Sequence, residues 1–263
     1  MRKTDTSVTS DKNPFLSEAA PLYIAIGDIH GQLDQMERLL AELHRAGLRD
    51  SDRVIFLGDY IDRGPDSCGV LESLIKFKQN RKNSIFLRGN HEQLFLDTFE
   101  QLSRDNHQAD DTGSLSVEAQ IWLQNGGIDT LSTYGVSNLS QVSAAIPVSH
   151  LEFIQSTESE FITEEFHFVH AGLLPEGMVW DEEEEGYDPR IWIREPFLSS
   201  KKLFNRKVVI FGHTPQLSGE PLVQRNKIGI DTGAVFGGPL TAVVLASDRP
   251  LTQQPYPHFI QVM

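Results

Sequence analysis

Short apolar runs alternate with amphipathic segments along the first third of the chain. Three apolar runs, Leu22 to Ile26, Val54 to Leu57 and Ile85 to Leu87, predict buried strands. Between these runs, apolar residues recur at helical spacing in Leu33 to Leu43 and in Val70 to Phe77. This β-α-β-α order predicts a mainly parallel sheet covered by helices.

The pattern changes after the third strand. Helical spacing predicts helices at Gln93 to Leu102 and from Val117 to Leu123, and we interpret residues 92–158 as a mostly helical insertion. Strand-like runs then return, and together they predict a second sheet or half of a sandwich. These runs are Glu165 to Val169, Lys207 to Phe211, Lys227 to Ile230 and Leu240 to Leu245.

The N-terminal segment, residues 1–18, is polar and rich in Ser, Thr, Asp and Lys. It predicts a disordered tail before a single domain that spans residues 19–263, because it lacks the apolar content that would offset the entropy of ordering. It also lacks the features of a signal peptide, and no later run reaches the roughly 20 apolar residues that cross a bilayer. The 39% hydrophobic and 23% charged content is typical of a soluble globular domain.

The charge balance and the cysteine content narrow the class of partner. The formal net charge of −14 disfavours binding to nucleic acid and to anionic membranes, so we expect neither as a partner. An anionic substrate therefore needs a locally positive site. The single cysteine, Cys68, cannot form an intramolecular disulfide, and we expect a cytoplasmic protein.

A glycine-led polar cluster follows each of the first three predicted strands. The clusters occupy residues 27–31, 58–64 and 89–92, and their leading polar residues recur at intervals of 31 residues, about one βαβ unit. The loops after the carboxyl ends of parallel strands meet in one crevice. We therefore expect the polar side chains of these clusters to lie close together.

These clusters and two later histidines supply nitrogen and oxygen donors without a thiolate. The donors are Asp28, His30, Asp59, Asn90, His170 and His213. Such a set suits Mn²⁺, Fe or Zn²⁺ better than copper or calcium, and we expect two divalent ions, with Mn²⁺ as the first choice. A carboxylate such as Asp59 could bridge two metals about 3.5–4 Å apart, an arrangement that activates water and clamps a phosphoryl group. The expected nucleophile is then a bound hydroxide.

Neighbouring residues add the other parts of a phosphate-cleaving site. Arg63 could hold a phosphate with its planar guanidinium. His91 could protonate a departing oxygen, with a carboxylate such as Asp62 raising its pKa and orienting it. The glycine-rich stretch Gly233 to Gly238 lacks the lysine of a phosphate-binding loop, and we interpret it as a turn near the site.

The three clusters and the two short motifs around His170 and His213, taken in order, resemble the phosphoprotein phosphatase family of metallophosphoesterases. In that family the motifs GDxHG, GDxxDRG, GNHE, HAG and GH recur, and this chain reads GDIHG, GDYIDRG, GNHE, HAG and GHT. The resemblance extends from Tyr23 to Leu245. It implies an α/β (α+β) calcineurin-like metallophosphoesterase fold, with a central β-sandwich flanked by helices.

The resemblance also implies a role for each matching residue. Asp28 and His30 would bind the first metal, Asp59 would bridge, and Asn90, His170 and His213 would bind the second metal. His91 would be the general acid with Asp62 behind it, and Arg63 would grip phosphate. Arg194 stands where the family carries a second phosphate-binding arginine, although the surrounding match is looser.

The substrate class implied is a phosphorylated protein or peptide. The segments Gly212 to Pro215 and Ile230 to Gly233 are similar to the prokaryotic branch, which favours a serine/threonine protein phosphatase and leaves phosphotyrosine open. The alternative is a symmetrical diadenosine tetraphosphate hydrolase or a related phosphoanhydride hydrolase. The diadenosine tetraphosphate hydrolases typically lack the pairing of Asp62 with Arg63 and end the third motif in Asp rather than Glu92. A phosphate-binding protein with a degenerate site would lack a ligand, and none is missing.

Overall fold

The first sheet has five strands in the order β10-β9-β1-β2-β3 among the residues that the computed structural model describes, which are 20–105, 115–180, 187–248 and 257–263. The expected tail, 1–18, lies outside them. The strands are β1 (Leu22–Ile26), β2 (Arg53–Phe56), β3 (Ile85–Phe86), β9 (Leu240–Ala246) and β10 (His258–Val262). The first three are parallel, whereas β9 runs antiparallel to β1 and to β10.

The second sheet, in the same described ranges, has the strand order β4-β5-β6-β8-β7. Its strands are β4 (Glu160–Ile162), β5 (Phe166–Val169), β6 (Val208–Phe211), β7 (Leu222–Val223) and β8 (Lys227–Gly229). The inner pairs are parallel and the two outer pairs are antiparallel. The prediction of a mainly parallel sheet was therefore incomplete, because antiparallel strands complete both sheets. The assignment of Leu240 to Leu245 to the second sheet was wrong, because this run forms β9 in the first sheet, antiparallel to β1.

The two sheets share one buried apolar cluster, which makes them the two layers of a sandwich. Along β1, Ala25 contributes to this cluster, whereas Ile24 and Ile26 face the helices on the other side of the sheet. On the outer face of the second sheet, Val209 and Phe211 pack against a third cluster. Because both faces of the central strands are covered, these strands are continuous apolar runs instead of alternating ones. The expected sandwich flanked by helices is confirmed.

Helices cover the first sheet and fill the described part of the insertion. They are α1 (Leu33–Ala46), α2 (Ser67–Asn80), α3 (Asn90–Asp105), α4 (Val117–Trp122), α5 (Ile128–Thr133), α6 (Val142–Ala145), α7 (Val148–Gln155) and α8 (Pro189–Trp192). A π-helical turn, Leu123–Gly127, joins α4 to α5 with a kink at Gly126. None of the described helices combines the length and apolar content needed to cross a membrane.

The structure shifts several predicted boundaries and adds strands that the pattern did not indicate. Helix α3 begins at Asn90, three residues before the predicted start, so the third polar cluster forms its first turn. Strands β4, β7 and β10 were missed because they are edge strands of two to five residues whose side chains are mostly only half buried. At the end of the insertion the chain meets β3 again, where Glu158 donates its backbone N–H to the Phe86 carbonyl.

Candidate metal centre

The six donors predicted from the sequence lie together at the carboxyl ends of strands from both sheets. Asp28 and His30 follow β1, Asp59 follows β2, Asn90 begins α3 after β3, His170 follows β5 and His213 follows β6. All six side chains are buried. Burial of so many polar groups is unfavourable unless they are paired with each other or with an ion.

Asp59 lies at the centre of this group. Its Oδ2 is 3.4 Å from His30 Nε2 and its Oδ1 is 3.4 Å from His170 Nε2. Two sets of candidate metal-binding atoms share this residue, each set lying within 4.8 Å. The sets are His30, Asp59 and His91, and Asp59, His170 and His213. A carboxylate that offers one oxygen to each set has the geometry of a bridge between two ions.

The three candidate histidine ligands are oriented by the backbone. Each imidazole places one ring nitrogen on a carbonyl oxygen and turns the other towards the centre of the site. The pairs are His30 Nδ1 with Ile61 O at 2.8 Å, His170 Nδ1 with Leu57 O at 2.9 Å and His213 Nε2 with Trp192 O at 3.2 Å. This arrangement fixes the tautomer and frees a lone pair, as in metal-ligating histidines.

The remaining donors also fit a divalent ion. Asn90 Oδ1 lies 3.2 Å from His170 Nε2 and 3.0 Å from His213 Nδ1, so three donor atoms converge. Asp28 Oδ1 is buried without a hydrogen-bond partner, and a Cβ at Gly212 would collide with it. Asp28 belongs to neither set of ligand atoms that lie within 4.8 Å of one another, but an unpartnered buried carboxylate oxygen at this edge suits a cation, so the donors together could hold metal ions.

The electrostatics of the site favour neutral imidazoles around an ionised carboxylate. Burial lowers the pKa of His30 to about 3, and it also lowers the pKa values of His170 and His213. Burial alone raises the pKa of Asp59, but attraction between its carboxylate and the protonated form of the neighbouring imidazoles outweighs burial and holds that pKa below its usual range. Neutral imidazole and ionised carboxylate are the forms that bind a metal.

His91 differs from the other histidines of the site. Its Nδ1 lies 2.7 Å from Asp62 Oδ2, and its Nε2 points towards Asp59 Oδ2 at 4.0 Å. Burial lowers the pKa of His91, but the carboxylates of Asp59 and Asp62 raise it by a larger amount, so the pKa of His91 lies above its usual value. The structure thus places the buried His91 imidazole beside Asp59, with Asp62 behind it as predicted.

The backbone of the site is strained. Five of the seven non-glycine residues with left-handed φ in the described ranges are predicted site residues. They are His30, Asp59, Asp62, Arg63 and His213. Such conformations cost about 1–3 kcal/mol each and persist only where the surroundings enforce them.

Glu92 supplies part of that enforcement. Its buried carboxylate accepts hydrogen bonds from the backbone N–H groups of Asp59 and Tyr60, both at 2.8 Å, and of Gly89 at 2.9 Å. It therefore joins the second and third clusters, a role that its motif alone did not reveal. Burial raises its pKa to about 7 despite these donors.

The two arginines lie at the edge of the buried group. Arg63 places its Nη1 3.0 Å from His30 Nε2, and the exposed Arg194 donates from Nη2 to the His213 carbonyl at 3.2 Å. Both guanidinium charges act on the buried carboxylate of Asp231, where they oppose the rise in its pKa that burial causes, so both arginines lie at the same site. The structure therefore brings together all ten residues predicted from the motifs.

Asp231 is a buried acidic residue that the sequence reasoning missed. Its carboxylate accepts a hydrogen bond from the Gly233 backbone at 3.0 Å and raises the pKa of Asp28. A signal was present, because Asp231 follows the strand-like run of β8 as the other donors follow their strands. Its own pKa rises to about 6, mainly through burial.

This combination of a two-layer sandwich and donor groups at the strand ends is that of a metallophosphoesterase. Residues 22–231 match the model of the calcineurin-like phosphoesterases, and the chain belongs to this family. It is 30% identical over 219 residues to serine/threonine-protein phosphatase 1 of Salmonella typhimurium, covering 82% of this chain and 88% of that protein. It is 25% identical over 261 residues to the asymmetrical bis(5'-nucleosyl)-tetraphosphatase PrpE of Oceanobacillus iheyensis, covering 89% of this chain and 96% of that protein.

Solved structures share the fold at lower identity. A cold-active protein-tyrosine phosphatase of a psychrophilic Shewanella species superposes with a TM-score of 0.54 at 16% identity, covering 88% of this chain and 76% of that chain. A protein serine/threonine phosphatase from Saccharomyces cerevisiae gives a TM-score of 0.51 at 14% identity, covering 94% and 82%. These likenesses establish the architecture and leave the substrate to be argued from the site.

Proposed function

We propose that this protein is a two-metal-dependent phosphomonoesterase that dephosphorylates phosphoserine and phosphothreonine in proteins. The observation that carries the proposal is the buried pair of His91 and Asp62, 2.7 Å apart, next to the bridging candidate Asp59. A serine or threonine alkoxide is a strongly basic leaving group and needs a proton as it departs. The leaving group of a phosphoanhydride is far less basic and has little need of such an acid.

In this proposal each part of the site has one task. Two divalent ions held by the donor groups would polarise the phosphoryl oxygens and activate a water. Arg63 and Arg194 bind the phosphate oxygens and orient the ester for in-line displacement. As the bond between phosphorus and the leaving oxygen breaks, the proton on His91 Nε2 passes to that oxygen, and Asp62 stabilises the imidazolium before transfer.

We propose direct attack by water, without a phosphorylated enzyme. The single cysteine, Cys68, lies in the first turn of α2 and belongs to neither donor group. The similarity to the Salmonella phosphatase supports a phosphorylated protein or peptide as the substrate. A cytoplasmic location, and the exclusion of nucleic acid and membranes as partners, remain predictions from the sequence.

A dinucleoside polyphosphate is the second candidate substrate. Phe236 lies beside the site with 58% of its surface exposed, and the Arg63 guanidinium is 5.9 Å from the centre of its ring. An exposed aromatic ring next to a phosphate-binding arginine is a surface on which a nucleobase could stack. The similarity to the PrpE enzyme favours the same substrate.

A comparison of substrates tests the proposal. Metal-stripped protein supplied with Mn²⁺ is assayed for phosphate release from phosphoserine, phosphothreonine and phosphotyrosine peptides. In parallel, cleavage of diadenosine tetraphosphate is followed by chromatography of its nucleotide products, two ADP or ATP plus AMP. We expect kcat/KM for the best phosphoserine or phosphothreonine peptide to exceed that for the dinucleotide by about tenfold or more, which corresponds to about 1.4 kcal/mol of transition-state stabilisation. Faster cleavage of the dinucleotide would overturn the assignment of substrate class and leave the metal centre untouched.

Removal of metal is expected to abolish activity. Dialysis against a chelator takes away the ions that neutralise the phosphoryl charge, and their loss costs several kcal/mol of stabilisation in the transition state. Phosphate release should fall to background, and Mn²⁺ should restore it. Metal content measured beside activity should approach two ions per chain at full recovery; activity that persists at a metal content near zero would contradict the proposal.

A further inference from the structure

The Asp62 carboxylate receives hydrogen bonds from the helical insertion as well as from His91. Trp122, the last residue of α4, donates from its indole Nε1 to Asp62 Oδ2 at 2.9 Å. Thr130, in α5, donates from its hydroxyl to Asp62 Oδ1 at 2.6 Å. The same Oδ2 lies 2.7 Å from His91 Nδ1, so both carboxylate oxygens have fixed partners.

All of these groups are shielded from water. Asp62 is fully buried, and Trp122 and Thr130 are each 1% exposed. Thr130 Oγ1 also accepts the Asp62 backbone N–H at 2.9 Å, and Ser67 Oγ accepts the same N–H at 3.0 Å. A buried carboxylate held at both oxygens and at its own backbone cannot rotate without breaking several hydrogen bonds.

The same insertion also holds the phosphate-binding arginine. The Asn125 carbonyl accepts a hydrogen bond from Arg63 Nε at 3.2 Å, and the Gly126 carbonyl lies 3.4 Å from the Arg63 backbone nitrogen. Gly126 has a φ of +112°, and a Cβ there would lie 2.6 Å from that nitrogen. The turn between α4 and α5 therefore approaches Arg63 as closely as glycine permits.

We propose that Trp122 and Thr130 are positioning residues that orient the Asp62 carboxylate, so that His91 can deliver its proton to the leaving oxygen. This inference rests on the proposed function of His91. The indole N–H and the threonine hydroxyl do not touch the substrate; they fix the direction of the carboxylate, and the carboxylate fixes the imidazole ring. The proton donor is therefore assembled when residues 117–133 dock on the second glycine-led cluster.

The dependence of kcat on the basicity of the leaving group distinguishes this positioning role from a purely structural one. Phenyl phosphate and p-nitrophenyl phosphate have similar size and the same phosphoryl group, but p-nitrophenolate is much less basic and departs with little help from an acid. A misoriented His91 therefore slows cleavage of phenyl phosphate and leaves cleavage of p-nitrophenyl phosphate nearly unchanged. General loss of structure slows both to the same extent.

The test uses full-length Trp122→Phe, which keeps an aromatic ring and removes the N–H, together with Thr130→Val. We expect kcat on phenyl phosphate to fall by at least about tenfold. The loss should not exceed the roughly 10²–10⁴-fold that general acid catalysis contributes in full, and kcat on p-nitrophenyl phosphate should fall by less than about twofold. Metal content should equal that of the wild type. Equal losses on the two substrates, in either variant, would overturn the inference.

Two control variants distinguish a loss of positioning from general damage to the fold. Thr130→Ser keeps the hydroxyl and should retain the leaving-group dependence of the wild type. Leu131→Ala removes a buried apolar side chain from the same helix without touching Asp62, so any loss it causes should be equal on both substrates. If Trp122→Phe does not fold, the comparison of Thr130→Val with Thr130→Ser decides alone.

His91→Asn, measured on the same two substrates, separates this inference from the proposed function. If His91→Asn slows phenyl phosphate far more than p-nitrophenyl phosphate, His91 is the proton donor. If Trp122→Phe and Thr130→Val then slow both substrates equally, the positioning role of these two residues is overturned. If His91→Asn itself has the dependence of the wild type, the assignment of the proton donor fails, and the inference that rests on it fails with it.

Discussion

Asp59→Asn is expected to lose bound metal and at least about 10³-fold in kcat. Each oxygen of Asp59 faces a different set of candidate ligands, and both sets contain it. The substitution removes the one negative charge that the two sets share and replaces a carboxylate oxygen with an amide. Stabilisation by a metal pair amounts to several kcal/mol, and each 1.36 kcal/mol is a factor of ten in rate.

Metal content by elemental analysis, measured together with kcat on p-nitrophenyl phosphate, checks this expectation. That substrate reports on the metal centre, because it depends little on a proton donor. Asp34→Asn is the matched control: it makes the same chemical change on α1, where the carboxylate is 96% exposed. Retention of two ions per chain in Asp59→Asn would show that this residue is not the bridge.

His91→Asn is expected to lower kcat on a phosphoserine peptide by about 10²–10⁴-fold while both metals stay bound. His91 Nδ1 lies 2.7 Å from Asp62 Oδ2, and in the proposed mechanism the proton that reaches the leaving oxygen is carried on Nε2. Asparagine can keep a hydrogen bond to Asp62, but it cannot transfer a proton. Metal binding should persist, because the predicted ligands do not include His91.

The metal content of His91→Asn distinguishes the two roles open to His91, general acid and metal ligand. His91 belongs to one of the two sets of candidate ligand atoms, beside His30 and Asp59. Loss of one ion from His91→Asn would therefore make it a ligand and contradict its assignment as the acid. His44→Asn, at an exposed position near the end of α1, is the matched control and should retain full activity.

Much of the site was predictable because its ligands follow strands and are flanked by glycines. Asp28, Asp59 and Asn90 recur at an interval that matches one βαβ unit, and parallel strands carry such residues to one edge. The central strands were predictable for a related reason, since both of their faces are buried. The edge strands β4, β7 and β10 were not, because a short strand with half-buried side chains leaves too weak a pattern.

Residues that act through another residue left no comparable signal. In sequence Trp122 is one more apolar position of an amphipathic helix, and its contact with Asp62 spans 60 residues. Glu92 belongs to a recognisable motif, but its backbone partners Asp59 and Tyr60 lie more than 30 residues away, in the second cluster. Hydrogen bonds of this kind depend on how a helix docks, which no local pattern encodes.

The sequence by itself therefore determined the chemistry of this protein: which donors are present, that they lie at strand ends, and that they suit a phosphate ester and divalent ions. The tertiary structure decided the state of each group. Burial lowers the pKa values of His30, His170 and His213, whereas the carboxylates of Asp59 and Asp62 outweigh burial and raise the pKa of His91, although all four have the same side chain. A pKa depends on the field at one point in space, and that field exists only after distant segments have packed together.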